Sequence, residues 1–206
     1  MLRIMKILHG AIEMSRTLEM VSEGSRIILI AVVLLMIYPA GSVPDELQGY
    51  NPTYSLGSGK DDWWINYPDH SQDSEQNPRA GLSVNHPSWV IEALEDKPVI
   101  ILDHSDNCKA CKVQMRDINK VLATYGDDII YYNITAKADG SGDQRAYEIL
   151  DTYCLDAAKP TVPTTVVLTK MPNPDGEVEI GWHTMDDAMG EEIIAAYIKD
   201  AILYYQ

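Results

Sequence analysis

The chain has no phenylalanine, so its aromatic side chains are four tryptophans and twelve tyrosines. It has three cysteines in 206 residues. An odd and small number excludes a scaffold held together by paired disulfides. Basic side chains are scarce as well. Sixteen lysines and arginines stand against 31 acids, for a formal net charge of -15. A chain so acidic is repelled by phosphate backbones, which argues against nucleic-acid binding. No apolar run is long. The uninterrupted one, residues 27–38, falls short of the ~20 residues of a typical membrane-crossing helix and reaches toward that length only when extended to Val43. No cysteine lies near residue 40, which excludes an anchor through a lipid-modified cysteine.

Against these absences, one constellation carries chemistry. Cys108-Lys109-Ala110-Cys111 follows the short apolar stretch Val99-Ile100-Ile101-Leu102 and opens an amphipathic segment. Two residues between cysteines let the first turn of a helix carry a disulfide that opens and closes. At a helix N-terminus backbone N–H groups point outward and the dipole is positive, which favours the thiolate, the reactive form of the first thiol. Lys109 and Lys112 add positive charge there, while Asp103 and Asp106 oppose it. Further on, Thr161-Val162-Pro163-Thr164 precedes a β-branched run. Together the two features read as a redox site on a sheet. Cys154, set among apolar residues, reads as a buried, inert thiol.

The charge is unevenly spread. Residues 1–26 hold four basic residues and three acids, so the negative charge lies after Val43. Basic residues before the apolar run and Asp45 and Glu46 after it place the N-terminus in the cytoplasm and the rest outside. Residues 1–26 are thus expected as a cytoplasmic segment and 27–43 as a transmembrane anchor. A cleaved signal peptide is the alternative, and it would make the protein secreted. Residues 44–82 are rich in Pro, Gly, Ser, Asn, Asp and Gln and read as a linker or stalk. Within it Trp63-Trp64-Ile65 is an aromatic patch expected to pack back onto the folded part.

Residues 83–206 carry the periodic pattern of a folded domain. Helices are expected over 87–96, from Cys108 to Tyr125, over 144–155 and over 191–205. In the second, Cys111, Met115, Ile118, Leu122 and Tyr125 form the apolar stripe and Gly126 ends it. Buried strands are expected over 99–103, 128–134 and 164–169. A fourth, over 177–182, follows the turn signal Pro172-Asn173-Pro174-Asp175-Gly176. The acids after Met185 read as the cap of the last helix. The order β–α–β–α–β–β–α requires a mixed sheet, parallel first and closed by a hairpin, with helices on both faces.

That order, with CxxC opening the first helix after a strand and Pro163 before the third strand, resembles the thioredoxin-like superfamily. The local run Asp103-His104-Ser105-Asp106-Asn107-Cys108-Lys109-Ala110-Cys111-Lys112 is similar to a prokaryotic branch carrying His-Ser-x-x-Cys-x-x-Cys. The resemblance implies a thioredoxin-like three-layer α/β/α sandwich with a mixed central sheet. It implies a cis Pro163 facing the cysteines, and a Val162 backbone that pairs with an incoming peptide. The dipeptide Lys109-Ala110 would tune the potential of the pair. The Trp-Cys-Gly-Pro-Cys of typical thioredoxins is absent. Asp103, the nearest match to their buried acid, sits one residue closer to the first cysteine.

The expected function is a membrane-anchored, extracytoplasmic thiol–disulfide oxidoreductase. Cys108 and Cys111 would exchange disulfides with cysteine-containing proteins and a redox partner, without metal or bound cofactor. Two other classes share these residues. A copper-handling metallochaperone would use the dithiol with His104, Met115 or Met171, since soft thiolates bind Cu(I) well. A redox-inactive binding module would keep only the fold. A zinc site with His104 or His183 lacks a second cysteine knuckle. His183, after Trp182 at a strand end, is expected at the surface.

Overall fold

The computed structural model describes residues 43–56, 62–65, 84–156 and 158–205. The expected cytoplasmic segment, and all of the expected anchor except Val43, lie outside the described residues. Among the described residues no helix is long and apolar enough to cross a membrane.

After a single 3-10 turn at Asp45–Leu47, the elements run α1 (Ser88–Ala93), β1 (Val99–His104), α2 (Lys109–Tyr125), β2 (Ile130–Thr135), α3 (Gln144–Tyr153), β3 (Thr164–Pro172), β4 (Val178–Asp186) and α4 (Glu191–Tyr204). The sheet order is β2-β1-β3-β4. β1 and β2 pair in parallel, from Val99 opposite Ile130 to His104 opposite Thr135. A parallel pair needs a crossover, which α2 supplies. β3 runs antiparallel to β1 and pairs with β4 as a hairpin. The mixed sheet with helices fits a thioredoxin-like α/β fold.

Strand alternation divides the core. Val99 and Ile101 of β1, Val166 and Leu168 of β3 and Trp182 of β4 pack with Ala146, Ile149 and Tyr153 of α3 and with α1. Ile100 and Leu102, with Val167 and Met171, pack with Ile118 and Val121 of α2 and with Ile194, Tyr197 and Ile198 of α4. Two periods of two on neighbouring strands, each facing a helical stripe, make the three layers.

Several expectations need correcting. β2 is an edge strand and mostly half-buried, rather than buried on both faces. β3 and β4 each run nine residues, longer than their apolar cores, because the hairpin ladder continues to Thr164 opposite Asp186. Met185 and Asp186 therefore end a strand. α4 is instead capped by Gly190, at φ 85°, a backbone conformation that favours glycine. The buried stripe of α2 is Cys111, Gln114, Asp117, Ile118 and Val121, rotated from the expected one.

Part of the stretch read as a stalk is folded onto the domain, and the compact unit runs from Val43. Leu47, Trp63, Trp64 and Ile65 are buried. Trp64 exchanges both backbone hydrogen bonds with Trp182 (2.9 and 2.8 Å), extending the sheet past β4. The buried carboxylate of Asp200 on α4 accepts from the Tyr50 hydroxyl (2.6 Å) and from the backbone N–H of Thr53 (2.9 Å) and Tyr54 (2.8 Å). In place of the absent phenylalanine, rings join the two halves of the core. Tyr54 stacks on Tyr197, Tyr197 on His183, and His183 packs against Trp64, at centroid spacings of 4.1, 4.2 and 4.4 Å. His183 is accordingly buried rather than at the surface, and its Nδ1 lies 2.8 Å from the carbonyl of Asp62.

Candidate functional site

β1 ends at His104, and the chain turns through Ser105, Asp106 and Asn107 into α2. The N–H of Cys108 donates to the carbonyl of Ser105 (3.2 Å), closing this turn. Cys108 is the N-cap residue of α2, with extended backbone, and its sulfur accepts from the N–H of Cys111 at 3.0 Å. N-cap positions leave unpaired N–H groups that want an acceptor. Here the acceptor is the sulfur that would carry negative charge when reduced.

Cys108 and Cys111 form a disulfide with Cα atoms 5.2 Å apart. Cys111 is buried and Cys108 is half-buried, so only the first sulfur can be reached from outside. Across from it, the Val162–Pro163 peptide bond is cis, as the resemblance implies. The carbonyl oxygen of Val162 lies 3.6 Å from Cys108 Sγ.

The wall that carries Pro163 is pinned from several sides. The Pro163 carbonyl accepts from the N–H of Asp187 (3.0 Å). Thr164 Oγ1 donates to the Thr161 carbonyl (2.7 Å) and to Asp186 Oδ1 (3.2 Å). Thr165 Oγ1, on the opposite face, accepts from Gln114 Nε2 (2.8 Å), and Gln114 Oε1 accepts from the N–H of Met189 (2.9 Å). Gln114, one turn after Cys111, thus ties the cysteine helix to the proline strand and to the β4–α4 loop. The sequence reading missed this residue. Its signal was a glutamine at i+3 from Cys111 and i−4 from Ile118, polar inside an apolar stripe.

Asp103 belongs to β1 and not to the loop. It is completely buried, pairs in register with Thr164 of β3, and neither carboxylate oxygen has a hydrogen-bond partner. Burial pushes its carboxyl up to about 7, outweighing the pull of nearby backbone N–H groups. By alternation from Val99 and Ile101 it lies on the α1–α3 side of the sheet, while Cys111 is carried by a helix on the other side. A one-residue change of spacing reverses the face a strand residue points to, so the shorter distance from Asp103 to the first cysteine has a structural consequence.

Lys109 and Lys112 are exposed beside the cysteines and Ala110 is half-buried. His104 turns to Thr135, with its Nε2 3.2 Å from Thr135 Oγ1. Met171 is in the core near the end of β3 away from Pro163, and Met115 is half-buried near Asn133 of β2. The structure therefore gathers Cys108, Cys111, Val162 and Pro163, and disperses the three residues considered as soft-metal ligands. Cys154 is buried, with its sulfur 3.7 Å from the Asp156 carbonyl.

No protein-family model matches the chain, and no curated protein matches it in sequence. Among solved structures it is similar to mitochondrial thioredoxin 3 from Saccharomyces cerevisiae, at 16% identity and a TM-score of 0.35. That match covers 55% of this chain and 87% of that one. A thiol:disulfide interchange protein of the thioredoxin family from Chlorobium tepidum aligns at 14% identity and a TM-score of 0.37, over 54% of this chain and 83% of that one. The exposed lipoprotein thioredoxin Etrx1 from Streptococcus pneumoniae aligns at 14% and 0.37, over 53% and 89%. Similarity this distant lends no weight to function, and the fold reading rests on topology, the CxxC and the cis proline.

Proposed function

We propose that the chain is a protein thiol–disulfide oxidoreductase working outside the cytoplasm, held to the membrane by residues 27–43. The observation that carries the reading is a single one. A disulfide at the first turn of α2 offers Cys108, and not Cys111, to a visitor, directly opposite the Val162 carbonyl.

In the reducing direction the Cys108 thiolate attacks one sulfur of a substrate disulfide. A Cys108–substrate bond forms and the second substrate sulfur leaves as a thiolate, which takes a proton. Cys111, deprotonated, then attacks Cys108 Sγ. The Cys108–Cys111 bond forms and the remaining substrate sulfur leaves. Two electrons pass from the dithiol to the substrate, and the reverse sequence oxidises a substrate dithiol. In the reduced protein the free N–H groups at the start of α2 stabilise the Cys108 thiolate. Val162 offers its backbone to the peptide that flanks the attacked sulfur. The redox disulfide is the only prosthetic element the reading requires.

Reduction of insulin disulfides tests it. Cys108→Ser abolishes turnover, whereas Cys111→Ser accumulates a mixed disulfide visible on a non-reducing gel. Undiminished turnover with both cysteines changed to serine would refute the reading. The reduction potential of the pair sets the direction: near ~-270 mV for a reductant, near ~-120 mV for an oxidant. Protease added to intact cells and spheroplasts tests location, and protection of the domain in both would overturn the extracytoplasmic placement.

A further inference from the structure

The scarce basic side chains are not scattered. Lys109, Lys112, Arg116 and Lys120 are four of the sixteen in the chain, and all four are exposed on α2. At 3.6 residues per turn they fall within an arc of about 80°, opposite the buried stripe of Cys111, Gln114, Ile118 and Val121. Among them lies a shallow, open surface depression formed by α2 alone, lined by Lys112, Met115, Arg116, Asn119, Lys120 and Ala123. Its floor has the apolar surface of Met115 and Ala123 and its rim is cationic. The face keeps an excess of positive charge. Arg116 pairs with Asp117 (2.9 Å), and Lys120 with Glu191 (2.8 Å) and Asp117 (3.6 Å). Lys109 and Lys112 form no ion pair among the described residues.

This stripe starts at the reacting sulfur. Cys108 is the residue before Lys109, and Lys120 lies about 18 Å further along the helix at 1.5 Å per residue. An extended peptide at ~3.3 Å per residue spans the same distance in about five or six residues. On a chain of net charge -15, an acidic partner is repelled overall, and a local basic track next to the nucleophile decides its orientation.

Resting on the thiol–disulfide reading above, we propose that this face of α2 is the docking track for protein substrates that carry acidic side chains two to six residues from the reacting cysteine. The charges of the track and of those side chains are complementary, and the apolar floor receives the stems between them. The track selects among cysteines, and the chemistry at Cys108 is the same for all of them.

Exchange kinetics with peptides test this. The full chain is reduced with dithiothreitol, freed of it, and mixed with peptides of equal length. Each peptide holds its single cysteine as a disulfide with thionitrobenzoate. The Cys108 thiolate attacks the peptide sulfur, the coloured thionitrobenzoate leaves, and Cys111 then releases the peptide thiol. Three peptides carry glutamate, serine or lysine at the positions two to six residues from the cysteine. At about 20 mM salt the glutamate peptide should react about tenfold or more faster than the lysine peptide, and the gap should close by about 500 mM. The ratio of glutamate to serine rates should fall severalfold in Lys112→Gln/Lys120→Gln. Reading a ratio within each variant cancels any general loss. Equal rates for the three peptides at low salt, or a lysine peptide that reacts fastest, would overturn the track while leaving the redox reading intact. Failure of all three to react would instead overturn the redox reading itself. A salt-sensitive dimer in sedimentation, with no preference among the peptides, would assign the stripe to a second copy and likewise overturn the proposal.

Discussion

Replacing Asp103 by asparagine removes a carboxyl that is fully buried near the end of β1. In the folded chain burial pushes its carboxyl up to about 7, against an ordinary value of 3.8 in the unfolded chain. Between those values the folded state holds a proton that the unfolded state has lost, so stability falls as pH rises through this window. The full penalty above pH 7 is about 4 kcal/mol at 1.36 kcal/mol per unit. Roughly 2 to 3 kcal/mol of it enters between pH 5 and pH 8. His86 acts in the opposite sense. Burial lowers its ring to about 4, its Nε2 is buried without a partner, and its Nδ1 lies 2.6 Å from the Tyr153 hydroxyl. It costs stability as pH falls below about 6.5. The two nearly cancel in the parent protein, so the difference between variant and parent is the quantity to read. Urea unfolding of the oxidised protein at pH 5, 6, 7 and 8 gives it. The stability of Asp103→Asn minus that of the parent should grow by roughly 2 to 3 kcal/mol across this range, whatever its offset at pH 5. A difference that stays constant from pH 5 to pH 8 would refute the assignment of a near-neutral carboxyl to Asp103.

Three further outcomes follow from other contacts. His86→Gln removes the opposing titration, so the stability of the variant minus that of the parent should fall by roughly 2 kcal/mol from pH 5 to pH 8, and a difference constant over that range would contradict this. Gln114→Ala leaves the Thr165 hydroxyl and the Met189 N–H without their partner. It should cost about 1 to 3 kcal/mol in denaturant unfolding and slow disulfide exchange, and an unchanged exchange rate would show that the proline wall does not need this tie. Asp200→Ala removes the carboxylate that accepts from the Tyr50 hydroxyl and from the Thr53 and Tyr54 N–H groups. Limited proteolysis should then cut residues 43–56 well before the rest of the domain, whereas cleavage no faster than in the parent would argue that the aromatic contacts alone hold that segment.

The elements of the domain were legible because each has its own local period. β1 reads as a continuous apolar run, α2 as a stripe ended by Gly126, and the β3–β4 hairpin as two runs flanking Pro172-Asn173-Pro174-Asp175-Gly176. The cysteine pair and Pro163 were legible because cysteine spacing and a proline before a strand are rare signals. What stayed hidden was set by partners distant in sequence. Nothing local says that Trp64 pairs with Trp182, or that Asp200 receives three donors from residues 50–54. His183 looked like a surface residue because its burial comes from Trp64 and Tyr197, neither of them near it in the chain. The half-exposure of β2 is a matter of strand order, which periodicity does not contain.

The geometry around Pro163 explains how a short loop can present a fixed wall to a substrate. Successive residues of β3 point to opposite faces, so a segment held on one face only could still rock about the strand axis. Here Thr164 is held on the α1–α3 side by Thr161 and Asp186, and Thr165 on the α2–α4 side by Gln114. The Pro163 carbonyl is fixed separately by Asp187. Gln114 belongs to the same helix as Cys111, so the bond from Gln114 to Thr165 ties the wall to the cysteines that face it. The distance between Cys108 Sγ and the Val162 carbonyl is therefore set by hydrogen bonds on both faces of β3. A substrate backbone entering that gap meets a preorganised edge, and the ordering cost falls on the visitor rather than on the protein.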